Sequence, residues 1–215
     1  MRYTLRTMKK QSMLFWDLMA KRYSKSPVAD EAAYQKKLEK TREYFTPESE
    51  VFEFGCGTGS TAITHAPYVK HILATDGSAK MIGIAQEKAD KAHIENATFE
   101  TTTIDTYTAP KENYDVVLGM SILHLLRDKE AAIEKVHDML KSGGVFVSST
   151  ACIGNVPFYI KAITKLGRLI GLTLGLFTAE ELKESMVNAG FEIEHLWQPE
   201  GDGIKAVFII AKKAV

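Results

Sequence analysis

The chain has 215 residues, 45% hydrophobic and 25% charged, and its 27 Lys and Arg balance 27 Asp and Glu. A formal net charge of zero argues against a general nucleic-acid binder, which would carry a basic excess. The two cysteines, Cys56 and Cys152, have neither disulfide-framework nor metal-ligand spacing, so no metal is expected and a reducing, cytoplasmic setting is the default. No apolar run reaches the length of a membrane span.

Taken in chain order, the N-terminal stretch is basic but lacks a continuous apolar core, so it reads as an amphipathic helix and not a secretory leader. Residues 12–45 read as two helices. Leu14, Phe15, Leu18, Met19 and Arg22 share one face of the first, and Tyr34, Leu38, Thr41 and Phe45 recur along the second. "SKSP" at 24–27 separates them, because the residue before proline avoids the α region.

An alternation of short apolar runs and amphipathic stretches follows. "EVFEFG", "HILATD", "ATFETTTID", "YDVVLGMSIL" and "VFVSSTAC" read as strands. Between them "STAITHAPYV", "SAKMIGIAQEKADKAH" and "DKEAAIEKVHDML" read as helices, Ser78 being an N-cap. This order predicts an α/β, doubly wound, mostly parallel sheet. The ending differs. "TAEELKESMVNAG" is a helix opened by a Thr178–Glu181 capping box and closed by Gly190, and "FEIEHLWQ" and "IKAVFIIAKK" then read as a hairpin. Seven strands are thus expected, with antiparallel pairing at the end of the sheet. Residues 153–177 form an extra segment before the last helix, with Lys161, Thr164, Lys165 and Arg168 on a polar stripe.

The chemistry concentrates in "VFEFGCGTGS". Gly55, Gly57 and Gly59 permit positive φ and close approach to a ligand, but their G-x-G-x-G spacing is not the G-x-G-x-x-G that receives a pyrophosphate. Glu53, two residues before the first glycine, would repel phosphate and suits an ammonium group. Asp76 ends the next strand, 21 residues after Gly55, where such folds hold ribose hydroxyls, and Asp105 is expected to end the third. Three carboxylates at consecutive strand ends imply a nucleoside ligand without phosphates that carries positive charge.

That ligand description fits S-adenosyl-L-methionine, and the chain resembles the class I S-adenosylmethionine-dependent methyltransferases, in particular small bacterial members similar to the ubiquinone/menaquinone and sterol methyltransferase group. The resemblance rests on "VFEFGCGTGS", "ATDGSAKMIGIAQEKA", "TTTID", "YDVVLGMSILHLL" and "MLKSGGVFVSST" together. It implies one methyltransferase domain: an N-terminal helical lid at 1–46, a cofactor-binding core at 47–152, a cap at 153–177, and a terminal helix and hairpin at 178–215. It further implies cofactor contacts from Glu53, Gly55, Cys56, Gly57, Gly59, Asp76, Gly77, Met81, Ile104, Asp105, Met120 and Ser121, with Tyr23 closing over the methionine end.

His124, just past the fourth strand, is the candidate base where an acceptor must lose a proton. Phe158, Tyr159 and Trp197 are candidate acceptor-lining residues. The segment 157–172, basic on one face and apolar on the other, is a candidate for transient contact with a membrane surface. After the fourth strand stands "GMSI", not the Asn/Asp-Pro-Pro-aromatic motif of base-modifying methyltransferases, which points to a small-molecule methyl acceptor. Competing expectations are a non-catalytic adenosylmethionine-binding module and a nicotinamide-dependent reductase, the latter disfavoured by Glu53 and the glycine spacing.

Overall fold

The computed structural model describes residues 2–154, 174–199 and 206–215, and side chains from residue 13 onward. Two helices, α1 (Arg2–Tyr23) and α2 (Glu31–Arg42), lead into β1 (Glu50–Phe54), α3 (Ser60–His65), β2 (His71–Asp76), α4 (Ala79–Lys91) and β3 (Ala97–Thr101). The chain then runs through β4 (Tyr114–Met120), α5 (Lys129–Met139), β5 (Leu140–Ala151), α6 (Ala179–Asn188), β6 (Phe191–Trp197) and β7 (Ala206–Lys213).

The seven strands form one sheet in the order β3-β2-β1-β4-β5-β7-β6. β1 to β5 are parallel, and β7 pairs antiparallel with both β5 and β6, so the predicted doubly wound sheet with an antiparallel end is what forms. The chain winds outward from β1 to β3, then returns to the other side of β1 with β4. This reversal opens a crevice beyond the carboxyl ends of β1 and β4.

Strand alternation divides the core into two layers. Phe52 and Phe54 of β1 face one side with Val117, Phe146 and Ile209, and there meet Ile133, Val136 and Met139 of α5 and Leu182 and Met186 of α6. Val51 faces the other side with Ile72, Leu118, Val147 and Ile210, against Ala62 of α3. Each such fully buried side chain contributes about 1.5–3 kcal/mol, so the sheet is fixed from both faces. Glu53 has the parity of Val51 and is buried at 1% exposure on that same side, an acid in an apolar layer.

The local signals act as expected at several ends. The Ser78 hydroxyl accepts from the Met81 N–H, Thr178 and Glu181 form both halves of a capping box, and Gly190 turns with φ +93°. The first helix differs in part from its expected face. Leu14, Leu18 and Arg22 are exposed, Phe15 and Met19 are half-buried together with Met13, Trp16 and Asp17, and Ala20 is the buried residue. Asp17 contributes to this: its carboxylate accepts from the Ser78 hydroxyl at 2.5 Å and the Lys80 N–H at 3.2 Å, clamping α1 onto the N-terminus of α4.

Asp105 also departs from expectation. β3 ends at Thr101, and Asp105 lies four residues later in a turn where the Thr106 N–H donates to the Thr103 carbonyl. The turn is fixed by the Lys135 ammonium, which donates to the carbonyls of Ile104 at 2.7 Å and Tyr107 at 2.5 Å, and by Tyr107 stacking on Phe52. Phe158, Tyr159, most of the 153–177 segment and the 157–172 stripe lie outside the described residues.

If Asp17 clamps the first helix, Asp17→Ala should speed tryptic cleavage at the exposed Lys21, Arg22 and Lys25 by about tenfold, the effect of losing a charge-assisted hydrogen bond. The thermal midpoint of the sheet core should move by only a few degrees. Cleavage at the wild-type rate would show that α1 is held by packing alone.

Candidate functional site

Beyond the carboxyl ends of β1, β2 and β4 lies a cavity of about 1200 Å³. It is walled by Glu53, Gly55, Cys56, Gly57, Asp76, Gly77, Met81, Ile104, Asp105, Met120 and Ser121, and by Tyr23 of the first helix. Three residues expected at the site are not on this wall. Gly59 caps α3 in a left-handed conformation, φ +72°, where an added Cβ would stand 2.7 Å from the Ala85 Cβ, so its role is to let α3 and α4 approach. Trp197 packs under the Lys36 ammonium, 4.1 Å from its ring centre, on the edge strand β6. His124 stands in sequence between wall residues Ile122 and Leu125 but is not itself on the wall, and its Nδ1 is buried with no hydrogen-bond partner among the described residues. Burial holds its imidazole below the usual range, so it is neutral at neutral pH.

The glycine turn has its shape for stated reasons. Gly55 and Gly57 hold φ +67° and +55°, and an added Cβ at Gly55 would lie 2.4 Å from Ile122. Asp76 braces the turn by accepting from the Gly57 N–H at 3.0 Å and the Ser78 N–H at 2.8 Å. A carboxylate has about four acceptor sites, so Asp76 keeps capacity for hydroxyl donors. Tyr23 closes over the turn, 3.7 Å from where a Cβ of Gly57 would stand. Burial raises its phenol pKa, as do the charges of Asp76 and Glu53.

Glu53 is the anomaly of the site. Burial, and then the Asp76 charge, push its carboxyl pKa up to about 8, although the Ala62 N–H in the first turn of α3 donates to it. Its Oε2 is buried with no hydrogen-bond partner among the described residues. An orphaned acidic oxygen in an apolar layer is costly unless something completes it. An ammonium group from the cavity would do so, and this chemistry fits the amino group of an amino-acid ligand. Asp76 beside it suits a ribose diol, and buried Met81 and Ile104 offer apolar flanks to a flat base.

The far end of the cavity, beyond β4, has a different character. Ser121 is held in the left-handed region at φ +58°, and its N–H donates to the Ser149 carbonyl at 2.6 Å. Strain of this sort in a non-glycine residue persists where surrounding structure over-determines it, commonly at functional sites. Lys37 of α2 reaches across to donate to the Ser149 hydroxyl at 3.0 Å, and burial lowers its ammonium pKa. Met120, Ile122, Leu125, Leu126 and Leu174 make the rest of this wall apolar. Sequence reasoning missed Asp17, Lys37 and Ser149. Lys37 did leave a trace, since it lies on the stripe of Ala33, Tyr34, Leu38 and Thr41, one cation on an inward face.

With this geometry described, residues 51–144 match the model of a family described as a methyltransferase domain. The matched stretch is thus similar to a methyltransferase domain. The matched stretch holds Glu53, the glycine turn, Asp76, Asp105, Ser121 and His124, whereas Tyr23, Lys37 and Ser149 lie outside it. An uncharacterized methyltransferase of Bacillus subtilis, YcgJ, is 26% identical over 122 residues, 57% of this chain and 48% of that protein. A ubiquinone biosynthesis O-methyltransferase of a Bradyrhizobium strain is 30% identical over 100 residues, 46% of this chain and 39% of the relative. The aligned stretch thus spans half or less of these curated relatives.

Solved structures extend the likeness of fold over most of the chain. The YcgJ crystal structure superposes with a TM-score of 0.72 at 17% identity, covering 84% of this chain and 99% of that one. A geranyl diphosphate C-methyltransferase of Streptomyces coelicolor, solved with Mg2+, geranyl diphosphate and S-adenosyl-L-homocysteine, superposes with a TM-score of 0.71 at 14% identity, covering 86% and 79%. The methyltransferase fold, with its reversed final strand, therefore describes this chain.

The raised pKa of Glu53 has a consequence for stability with a definite sign. Below about pH 4.5 the folded and unfolded states both hold the proton, and the group costs nothing. As pH rises from there to about 8, the unfolded chain gives up the proton while the folded one keeps it, so the ligand-free protein loses stability across this window. Glu53→Gln should remove that loss. Thermal midpoints of variant and wild type, compared from pH 5 to pH 8, should diverge in the variant's favour as pH rises; parallel curves would mean that Glu53 titrates as an ordinary carboxylate.

Proposed function

We propose that this protein is an S-adenosyl-L-methionine-dependent methyltransferase acting on a small, largely apolar acceptor. The observation that carries the reading is Glu53, a buried acid with one carboxyl oxygen unpartnered among the described residues, which asks for a cation at the glycine-turn end of the cavity. The family match over residues 51–144 supports the same activity, and the adenosylhomocysteine complex of the Streptomyces enzyme supports the same cofactor.

In this reading Glu53 accepts from the cofactor's amino group while the backbone of Gly55 and Gly57 allows the methionine part to approach. Asp76 accepts from the ribose hydroxyls with the capacity left after bracing the turn. Met81 and Ile104 flank the adenine, and Asp105, set in its turn by Lys135, stands at the adenine edge. When bound, the cofactor supplies an electrophilic methyl group on a sulfonium. The protein's own work is orientation and exclusion of water, which account for much of the rate in a transfer whose reactive carbon arrives ready-made. Tyr23 and the first helix, clamped through Asp17, shut the methionine end from solvent, and residues 1–46 act as the lid. Ser121 and Met120 border the passage between cofactor and acceptor.

The cavity, at about 1200 Å³, exceeds the roughly 300–1,000 Å³ of an ordinary ligand pocket, which leaves room for an acceptor beside the cofactor. Its walls beyond β4 are apolar, and the acceptor's body is assigned there. His124 does not enter as base in this reading, because it is not on the cavity wall; a nucleophile that arrives ionised needs none. Phe158 and Tyr159 remain assigned to the acceptor's cover, and the acceptor is a small molecule.

Calorimetric titration tests the reading. Adenosylmethionine and adenosylhomocysteine should bind and NAD should not. Asp76→Ala should weaken adenosylhomocysteine at least tenfold, since each charge-assisted bond to a ribose hydroxyl is worth about 1.5–3 kcal/mol. Tight NAD binding without adenosylmethionine binding would overturn the assignment, and an unchanged dissociation constant in Asp76→Ala would remove that residue from the ribose.

A further inference from the structure

The far end of the cavity contains one feature that a purely apolar acceptor would not require. Lys37 projects from the second turn of α2 to the cavity wall, and its ammonium donates to the Ser149 hydroxyl at 3.0 Å. Ser149 is itself buried at 2% exposure, in register with Met120 at the carboxyl end of β4, and its carbonyl is taken by the Ser121 N–H. The ammonium is therefore anchored beside the strand end where the acceptor is assigned.

Its own charge is poorly matched. A lysine ammonium has three donors, and a neutral hydroxyl accepts one of them. Among the described residues no carboxylate lies within ion-pair distance of Lys37. The acid it feels is Asp30, an exposed residue whose carboxylate accepts from the Ala33 N–H at 2.9 Å as the N-cap of α2. Glu53, Asp76 and Asp105 belong to the glycine-turn end. The cavity wall that Lys37 shares includes the apolar Met120, Ile122, Leu125 and Leu174 and the polar Tyr34 and Ser121, with Arg127 as its other cation. A partly buried cation with donors to spare in such a wall costs free energy, and burial already disfavours its charged form. A guest that brings an anionic oxygen offsets that cost, through charge-assisted bonds of the stronger class.

We propose that the acceptor site takes a ligand bearing an anionic oxygen, such as a carboxylate, phenolate or enolate, which Lys37 holds with the Ser149 hydroxyl while the ligand's apolar body lies along Met120, Ile122 and Leu125. This deepens the methyltransferase reading and rests on it for which end of the cavity belongs to the acceptor. The acceptor is then amphiphilic, an apolar frame with one acidic oxygen. Lys37 selects it against neutral analogues and, for a phenol or enol, favours the ionised form that attacks a methyl group.

Fluorine NMR with 4-fluorobenzoate and its neutral isostere 4-fluorobenzamide as probes tests this on the intact chain, with and without saturating adenosylhomocysteine. The acid should bind about tenfold more tightly than the amide, the worth of one charge-assisted hydrogen bond. Lys37→Met should bring the two within about twofold, Lys37→Arg should keep part of the preference, and adenosylhomocysteine affinity should be unchanged in both. Circular dichroism and the retained adenosylhomocysteine affinity establish that the variants fold. Equal binding of acid and amide, binding of neither, or a preference that survives Lys37→Met would overturn the proposal. A lysine-dependent preference in a protein that does not bind adenosylhomocysteine would leave the anion site standing and sink the cofactor reading.

Discussion

The structure is organised around an acid buried in its central strand. Glu53 sits on β1, paired on one side with Ala74 of β2 and on the other with Leu118 of β4. Its cost is a few kcal/mol that the apolar layers around it must absorb. Sequences carry such a local contradiction where function requires it. The features around Glu53 follow from it. The turn after β1 must curl back with positive φ so that a ligand can reach the carboxylate, and Asp76 must brace the curl, which adds a second negative charge beside the first. The first helix then covers the turn with an aromatic, Tyr23, which brings no charge of its own.

The cavity is polarised as a result. Its two ends come from different parts of the chain and offer opposite charges. The glycine-turn end, from β1, β2 and the turn after β3, presents carboxylates. The far end, from β4, β5 and α2, presents apolar side chains and the Lys37 ammonium. A cationic cofactor and an anionic-oxygen acceptor would each find their complement, and electrostatic repulsion would oppose the reversed arrangement. The family match covers the acidic end and stops short of Lys37 and Ser149.

Much of this arrangement could be read from the sequence because the relevant physics is local. Strand and helix alternation, the Ser78 cap, the Thr178–Glu181 capping box and the reversed last hairpin are each written within a few neighbouring residues. Glu53 and Asp76 were legible because both are tied to strand ends, and the doubly wound topology brings consecutive strand ends together. What stayed hidden depended on long-range placement. The face of α1 was read only in part: apolar periodicity pointed to Leu14 and Leu18 beside Phe15 and Met19, whereas the contact of Asp17 with the start of α4 helps to leave both leucines exposed. His124 follows the fourth strand as an acceptor-side base should, but in the short helical turn there it is not among the residues that wall the cavity. Trp197 is aromatic and near a strand end, yet the topology carries β6 to the sheet's edge. Lys37 and Ser149 are 112 positions apart, and only the fold makes them neighbours.

The central claim is that Glu53 waits protonated for a cationic ligand and ionises against it. Calorimetry of adenosylhomocysteine binding at pH 7, in two buffers of different ionisation enthalpy, measures the proton count directly. With the Glu53 pKa at about 8 before binding and lowered by the ammonium of the ligand, binding should release protons, up to one for each ligand bound. Glu53→Gln should bind more weakly and release none. Tight binding with no proton released by the wild type, or the same release from the variant, would contradict the account.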